Sequence, residues 1–265
     1  MSEFRAWTLA GEAFREGAII PVTDRGFRYG MSVFETLAVR REKILFLREH
    51  LAALKAACAA AGFQAGQTEA LSALKGLPDG MLRIYVTAGD GTVAGPTGEP
   101  RTFAFFEPGE FPRPEDIERG ARTAISRVRS VPVLGGWKTG NYWANLQAFA
   151  TARERDFDEA LVFNIEGAVI SASMANVFFV FDGMLRTPAA SAGARRGVLR
   201  GWVKEMTKVE ECLLSSSDLE EADECFLTSS RLGVMPVAEI EGRCLPSRSR
   251  GQALAALYRE RILGE

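Results

Sequence analysis

The spacing of apolar positions divides the chain into many short segments. Residues 32–39, Ser32-Val33-Phe34-Glu35-Thr36-Leu37-Ala38-Val39, are dense in β-branched and aromatic side chains and predict a strand. The polar stretch 40–43 and the apolar triplet 44–46 after it predict a hairpin. Leu51, Leu54, Cys58 and Ala61 recur at three- to four-residue intervals, the period of one buried helical face over 50–61, with Gly62 as its stop. A second helix is expected over 67–76, and strands over 81–86 and 102–106. Ahead of these, short strands are expected in 4–22 about a Gly11-Glu12 turn. A turn-rich loop over 23–30 follows, in which two glycines permit positive φ. In the second half, strands are expected over 121–127, 160–163, 177–181, 224–227 and 234–240, and helices over 141–155, 197–208 and 252–262. Strands and helices are mixed without regular βαβ alternation, which predicts an α+β fold. The stretch 107–118, with Pro108, Pro112 and Pro114, reads as a linker. The expected division is a smaller N-terminal α/β lobe over 1–108, a linker over 109–119 and a larger C-terminal lobe over 120–265 that carries Lys138.

Composition narrows the class. With 265 residues, 47% of them hydrophobic, the chain can bury a large core, and a net charge of −2 lacks the basic footprint of a nucleic-acid binder. No apolar run is long enough to cross a bilayer, and the charged N-terminus has no signal-peptide core, so a cytoplasmic protein is expected. Cys58, Cys212, Cys225 and Cys244 form no CxxC pair and read as buried free thiols in a reducing compartment. The single histidine, His50, sits where a helix begins and is expected to be structural, which leaves no metal site to predict. The glycine loop over 88–95 matches neither a dinucleotide fingerprint nor a P-loop. Ser215-Ser216-Ser217 and Ser229-Ser230-Arg231 lack a histidine partner for nucleophilic catalysis. The acidic run 219–224 and the basic run 247–250 read as solvated surface.

One stretch carries candidate chemistry: Trp137-Lys138-Thr139-Gly140-Asn141-Tyr142-Trp143-Ala144-Asn145. It places a lysine in a Gly-containing loop with aromatic neighbours just ahead of a helical pattern. Desolvation of an ammonium favours the free amine, a nucleophile for a carbonyl carbon.

Five ordered blocks then resemble the fold-type IV pyridoxal-phosphate enzymes, the class IV aminotransferase family. Asp24-Arg25-Gly26-Phe27-Arg28-Tyr29-Gly30-Met31-Ser32-Val33-Phe34-Glu35-Thr36 resembles its N-terminal signature. Lys138-Thr139-Gly140-Asn141-Tyr142 is similar to the loop of its Schiff-base lysine. Asp158-Glu159-Ala160-Leu161 and Asn176-Val177-Phe178 fall at the family's spacing, and Thr228-Ser229-Ser230 through Met235-Pro236-Val237 resembles its late phosphate-binding loop. The resemblance implies a two-lobed, D-amino-acid aminotransferase-like architecture, pyridoxal 5'-phosphate as cofactor, a small-molecule amine as substrate and a homodimer. It implies Lys138 as the catalytic residue, and Tyr142, Ser171, Val198, Leu199, Thr228 and Ser230 as cofactor-binding positions. The short chain, Tyr29-Gly30-Met31 and the 88–91 glycines lean toward 4-amino-4-deoxychorismate lyase, which releases pyruvate and 4-aminobenzoate in folate biosynthesis. D- or branched-chain amino-acid aminotransferase is the alternative.

Three positions depart from the family pattern. Ser171 stands where the family places the glutamate that keeps the pyridine nitrogen protonated. Ala53 stands where an arginine grips the phosphate, a charge-assisted bond worth ~1.5–3 kcal/mol. Leu199 replaces a threonine, although the backbone N–H groups of Val198 and Leu199 remain for an anion at a helix N-terminus. Arg195 or Arg196 could replace the missing charge. These departures also motivate a reading of another class, a catalytically weakened homologue that acts as a binding or interaction protein.

Overall fold

The computed structural model describes residues 4–131 and 136–265. Residues 1–3, part of the stretch read for a signal peptide, and 132–135, ahead of the Lys138 loop, lie outside the described residues. The chain divides into two compact units, one made of the residues up to Phe111 together with Trp137–Asn141, the other of the remaining described residues.

The first unit holds β1 (Arg5–Ala10), β2 (Ala13–Glu16), α1 (Arg25–Tyr29), β3 (Ser32–Arg40), β4 (Lys43–Ile44), α2 (Leu47–Ala60), β5 (Gly80–Thr87), β6 (Gly91–Thr92), β7 (Gly95–Pro96) and β8 (Arg101–Pro108). Six strands form an antiparallel sheet in the order β2-β1-β8-β5-β3-β4. Alternation sends Val33, Leu37 and Val39 of β3 and Leu82, Ile84 and Val86 of β5 to one face, where they pack with Leu51, Leu54 and Cys58 of α2. His50 belongs to this buried layer, and its Nδ1 lies 2.8 Å from Glu35 Oε2. The other face of β3 presents Phe34 and Thr36.

Several expectations shift here for local reasons. The 23–30 loop contains α1, because the buried Asp24 carboxylate accepts from Gly26 N at 2.7 Å and caps a helical turn that ends at Gly30 (φ 67°). The second hairpin strand is only Lys43–Ile44: Arg41 and Glu42 both take positive φ, the geometry of a tight two-residue turn, and Phe46 already stands at the start of α2. The helix expected over 67–76 is a 3-10 segment, Thr68–Ala73. No strand forms over 19–22. The glycine loop holds the small β6–β7 ladder.

The second unit holds α3 (Pro114–Arg119), β9 (Ala121–Ser130), α4 (Trp143–Glu154), β10 (Glu159–Asn164), β11 (Val169–Ala172), β12 (Asn176–Phe181), β13 (Met184–Pro188), α5 (Val198–Met206), β14 (Glu210–Cys212), β15 (Glu224–Ser229), β16 (Gly233–Ile240), β17 (Arg243–Cys244) and α6 (Ser249–Tyr258). Its mixed sheet runs β11-β10-β9-β16-β15-β12-β13-β14, with β17 on β16. β9 pairs parallel with both β10 and β16. The link from β9 to β10 is therefore a crossover, and α4 packs Ala148 and Ala152 onto Ala124, Ala160 and Val162 of those strands. The helix begins two residues later than its sequence pattern, at Trp143. β12, β15 and β16 are buried on both faces, with Phe178 stacked on Phe226 at 4.8 Å.

The thiols do not all share one environment. Cys58 and Cys225 are buried, Cys212 is half-buried and Cys244 is exposed, which corrects the expectation for the last. Burial pushes the Cys58 thiol up to about 12 and raises Cys225 well above the ordinary value. Among the described residues no helix is long and apolar enough to cross a membrane.

Candidate functional site

Lys138 is held within the first unit by a β-bridge between Thr139 and Val33. Phe34 N donates to Lys138 O at 3.0 Å and Gly140 N donates to Ser32 O at 2.9 Å. Gly140 lies close against β3, where a Cβ would stand 2.2 Å from Ser32 Oγ. Asn141 Nδ2 donates to the Gly30 carbonyl at 3.3 Å, and a Cβ on Gly30 would meet the Asn141 side chain at 2.3 Å. The two glycines of the N-terminal signature act sterically: Gly30 admits Asn141, and Gly26 packs against Thr87, with a would-be Cβ contact of 2.7 Å. The half-buried lysine then meets the outer face of β3. Nζ donates to Thr36 Oγ1 at 2.9 Å and lies 4.5 Å from the centre of the Phe34 ring. Phe34 and Thr36 were not singled out as Lys138 partners from sequence, although their two-residue spacing marks one strand face.

In the second unit, Tyr142 occupies the N-cap position of α4. Its hydroxyl accepts from Arg195 Nη1 at 3.2 Å and donates to Ser173 O at 3.4 Å. The loop after β11 is fixed by the buried Glu159 carboxylate. That group accepts from Ala160 N at 2.8 Å, Ser173 N at 3.1 Å and Met174 N at 3.0 Å, and from the Ser173 hydroxyl. Burial raises its pKa despite these donors. Ser171 lies on β11, buried and opposite Val162 of β10. Of the carboxylates nearest in sequence, Glu159 is held by its donors and Glu166 lies in the exposed turn after β10.

α5 starts at Val198 with Gly197 as its N-cap, which supplies no side-chain acceptor. The first backbone N–H groups, those of Val198 and Leu199, have no partner in their own helix and face outward from its positive end. A Cβ on Gly197 would lie 2.1 Å from Asn176 Oδ1, and Asn176 Nδ2 donates to Arg195 O at 2.7 Å. Asn176 of β12 and Thr228 of β15 are register partners on antiparallel strands, so their side chains share a face. Thr228 is 1% exposed, and its Oγ1 has no hydrogen-bond partner among the described residues. Ser230 follows immediately after β15. The structure thus brings Asn176, Gly197, Val198 and Thr228 to one end of the second unit, while Leu199 turns its side chain into the core. A helix N-terminus without a side-chain cap and a buried hydroxyl without a partner among the described residues suit a small anion such as a phosphate monoester. Arg200, the next cation along, is buried and committed to Pro188 O and Glu211, each at 3.0 Å.

A family model, Amino-transferase class IV, matches residues 32–240. The chain belongs to this family, whose members are pyridoxal-phosphate-dependent aminotransferases and lyases. It is 29% identical over 255 residues to a putative branched-chain-amino-acid aminotransferase of Methanocaldococcus jannaschii, covering 89% of this chain and 87% of the relative. It is 28% identical over 240 residues to the aminodeoxychorismate lyase of Vibrio harveyi, covering 83% and 87%. The structure of 4-amino-4-deoxychorismate lyase from Pseudomonas aeruginosa superposes with a TM-score of 0.84 at 28% identity, covering 93% of this chain and 97% of that one. The fold is the fold-type IV architecture of these enzymes.

Proposed function

We propose that this chain is a pyridoxal-phosphate-dependent lyase of the 4-amino-4-deoxychorismate lyase type, releasing pyruvate and 4-aminobenzoate. The observation that carries the choice is Ser171: it is buried on β11, while Glu159 is held by its own donors and Glu166 lies in an exposed turn. When bound, the cofactor delocalises the electron pair left by a bond broken at the amine-bearing carbon of the substrate. A ring nitrogen met by a hydroxyl in place of a carboxylate gives a weaker sink. An elimination driven by aromatisation tolerates this better than transamination does. Lys138 Nζ is the amine that anchors the cofactor and, once free, takes and returns a proton at the substrate carbon. The N–H groups of Val198 and Leu199 and the hydroxyls of Thr228 and Ser230 hold the phosphate, and Tyr142 orients the ring.

A cytoplasmic homodimer belongs to the same reading. Trp143, 80% exposed, and Leu146, 51% exposed, form an apolar strip on α4 for a second copy to cover. D- and branched-chain amino-acid aminotransferase are the alternatives within the family, and a binding protein without turnover is the alternative outside it.

The deciding experiment mixes the protein and pyridoxal phosphate with aminodeoxychorismate or with a panel of D- and L-amino acids. Pyruvate with 4-aminobenzoate is expected from the former, together with a visible absorbance that Lys138→Ala abolishes. A keto acid from the amino acids without pyruvate release supports an aminotransferase. Protein that stays colourless in excess cofactor points to the binding protein.

A further inference from the structure

The loop ahead of α5 carries a cation, Arg195, two residues before the helix N-cap. Arg195 is half-buried; its carbonyl is fixed by Asn176 Nδ2 at 2.7 Å and its Nη1 donates to the Tyr142 hydroxyl at 3.2 Å. Its backbone is therefore anchored two residues before Gly197, beside the uncapped start of α5. The same end of the unit holds the buried, orphaned Thr228 hydroxyl, on the strand face that carries Asn176. These groups offer hydrogens to an anion but little net charge, since a helix end is equivalent to only about half a charge. A phosphate monoester carries up to two. Of the arginines around α5, Arg196 is exposed, and Arg200 is held by Pro188 O and Glu211.

We propose that Arg195 is the cationic arm of the anion cradle formed by the α5 N-terminus and Thr228, and that its guanidinium pairs with the phosphate of the bound ligand. At rest the guanidinium donates to the Tyr142 hydroxyl. An arginine is suited to this exchange, because its planar fork can turn from a neutral acceptor toward two phosphate oxygens. The inference rests on the functional reading above insofar as the phosphate is that of pyridoxal phosphate.

The test compares wild type with Arg195→Ala, Arg195→Lys and Tyr142→Phe. Binding of pyridoxal phosphate and of phosphate-free pyridoxal is titrated by absorbance, and the melting-temperature shift caused by inorganic phosphate is measured alongside. Arg195→Ala is expected to weaken pyridoxal phosphate about ten- to one-hundred-fold, to abolish the phosphate-induced shift and to leave pyridoxal binding unchanged. Arg195→Lys restores part of the loss, and Tyr142→Phe retains the phosphate-induced shift. Unchanged affinity in Arg195→Ala overturns the proposal. So does an equal loss for pyridoxal phosphate and pyridoxal, which would make Arg195 a positioning residue for Tyr142. If wild type takes up no pyridoxal phosphate, the functional reading falls. The phosphate-induced shift and its response to Arg195→Ala then decide the role of Arg195 separately.

Discussion

The seat of Lys138 and the start of α5 are built on opposite principles. Around Lys138 the backbone is accounted for: Lys138 O, Gly140 N and the Asn141 amide each find a partner, and two glycines make room for the contacts. At α5 the chain leaves N–H groups uncapped and buries a hydroxyl with no partner among the described residues. The first arrangement fixes one atom, Nζ. The second keeps polar groups unmet, which costs stability until something binds. A precise position comes from satisfied bonds, whereas affinity comes from unsatisfied ones.

That contrast can be broken by substitution. The largest effect is expected at Gly140: alanine there sets a Cβ 2.2 Å from Ser32 Oγ. Overpacking of this kind costs ~1–3 kcal/mol, so the melting temperature should fall by several degrees and the Lys138-dependent absorbance should fade. Gly197→Ala comes next. Its Cβ displaces Asn176, so affinity for pyridoxal phosphate should drop by about tenfold, an energy of ~1.4 kcal/mol, with a smaller change in melting temperature than at Gly140. Thr228→Val should act with opposite signs on stability and binding. Removing an orphaned buried hydroxyl should stabilise the ligand-free protein by up to ~1 kcal/mol, seen as a raised melting temperature, while cofactor titration shows weaker binding. A destabilised Thr228→Val protein would mean that this hydroxyl is satisfied without a ligand.

The smallest effect depends on pH. Lys204 and then Arg200 hold the Glu211 carboxyl down from 4.5 to about 2. A depressed carboxyl stabilises the fold above its unfolded value and loses that contribution as pH falls through the folded one. The melting-temperature gap between wild type and Glu211→Gln should therefore be full above pH 4.5 and close as pH approaches 2. Because Glu211 meets the side chains of Lys204 and Arg200 and not the backbone N–H groups of Val198 and Leu199, phosphate affinity at neutral pH should stay unchanged.

Long periodic or β-branched segments were legible in the sequence: β3, α2, β5, β8, β12 and β16 all form where their patterns lie. Elements made by tertiary contact were not. α1 depends on the Asp24 cap, reinforced by Thr87 Oγ1 at 2.8 Å and Arg101 at 3.1 Å from distant strands. β11 is four residues of Val-Ile-Ser-Ala, too short to show alternation. The motif around Lys138 was visible, but its pairing with β3 was not, because Val33 and Thr139 are far apart in the chain. Arg195 was one of two arginines that sequence could not tell apart. The hydrogen bonds to Asn176 and Tyr142 separate it from the exposed Arg196.

The uneven burial of the cysteines has a practical outcome. Electrophiles react with thiolates, and burial keeps Cys58 and Cys225 protonated and shielded. Burial also raises the half-exposed Cys212, while Cys244 on β17 stands in solvent. A brief maleimide treatment at neutral pH should therefore attach one dye per chain, at Cys244, without mutagenesis. The natural sequence thus supplies a fluorescent reporter in the unit that holds α5.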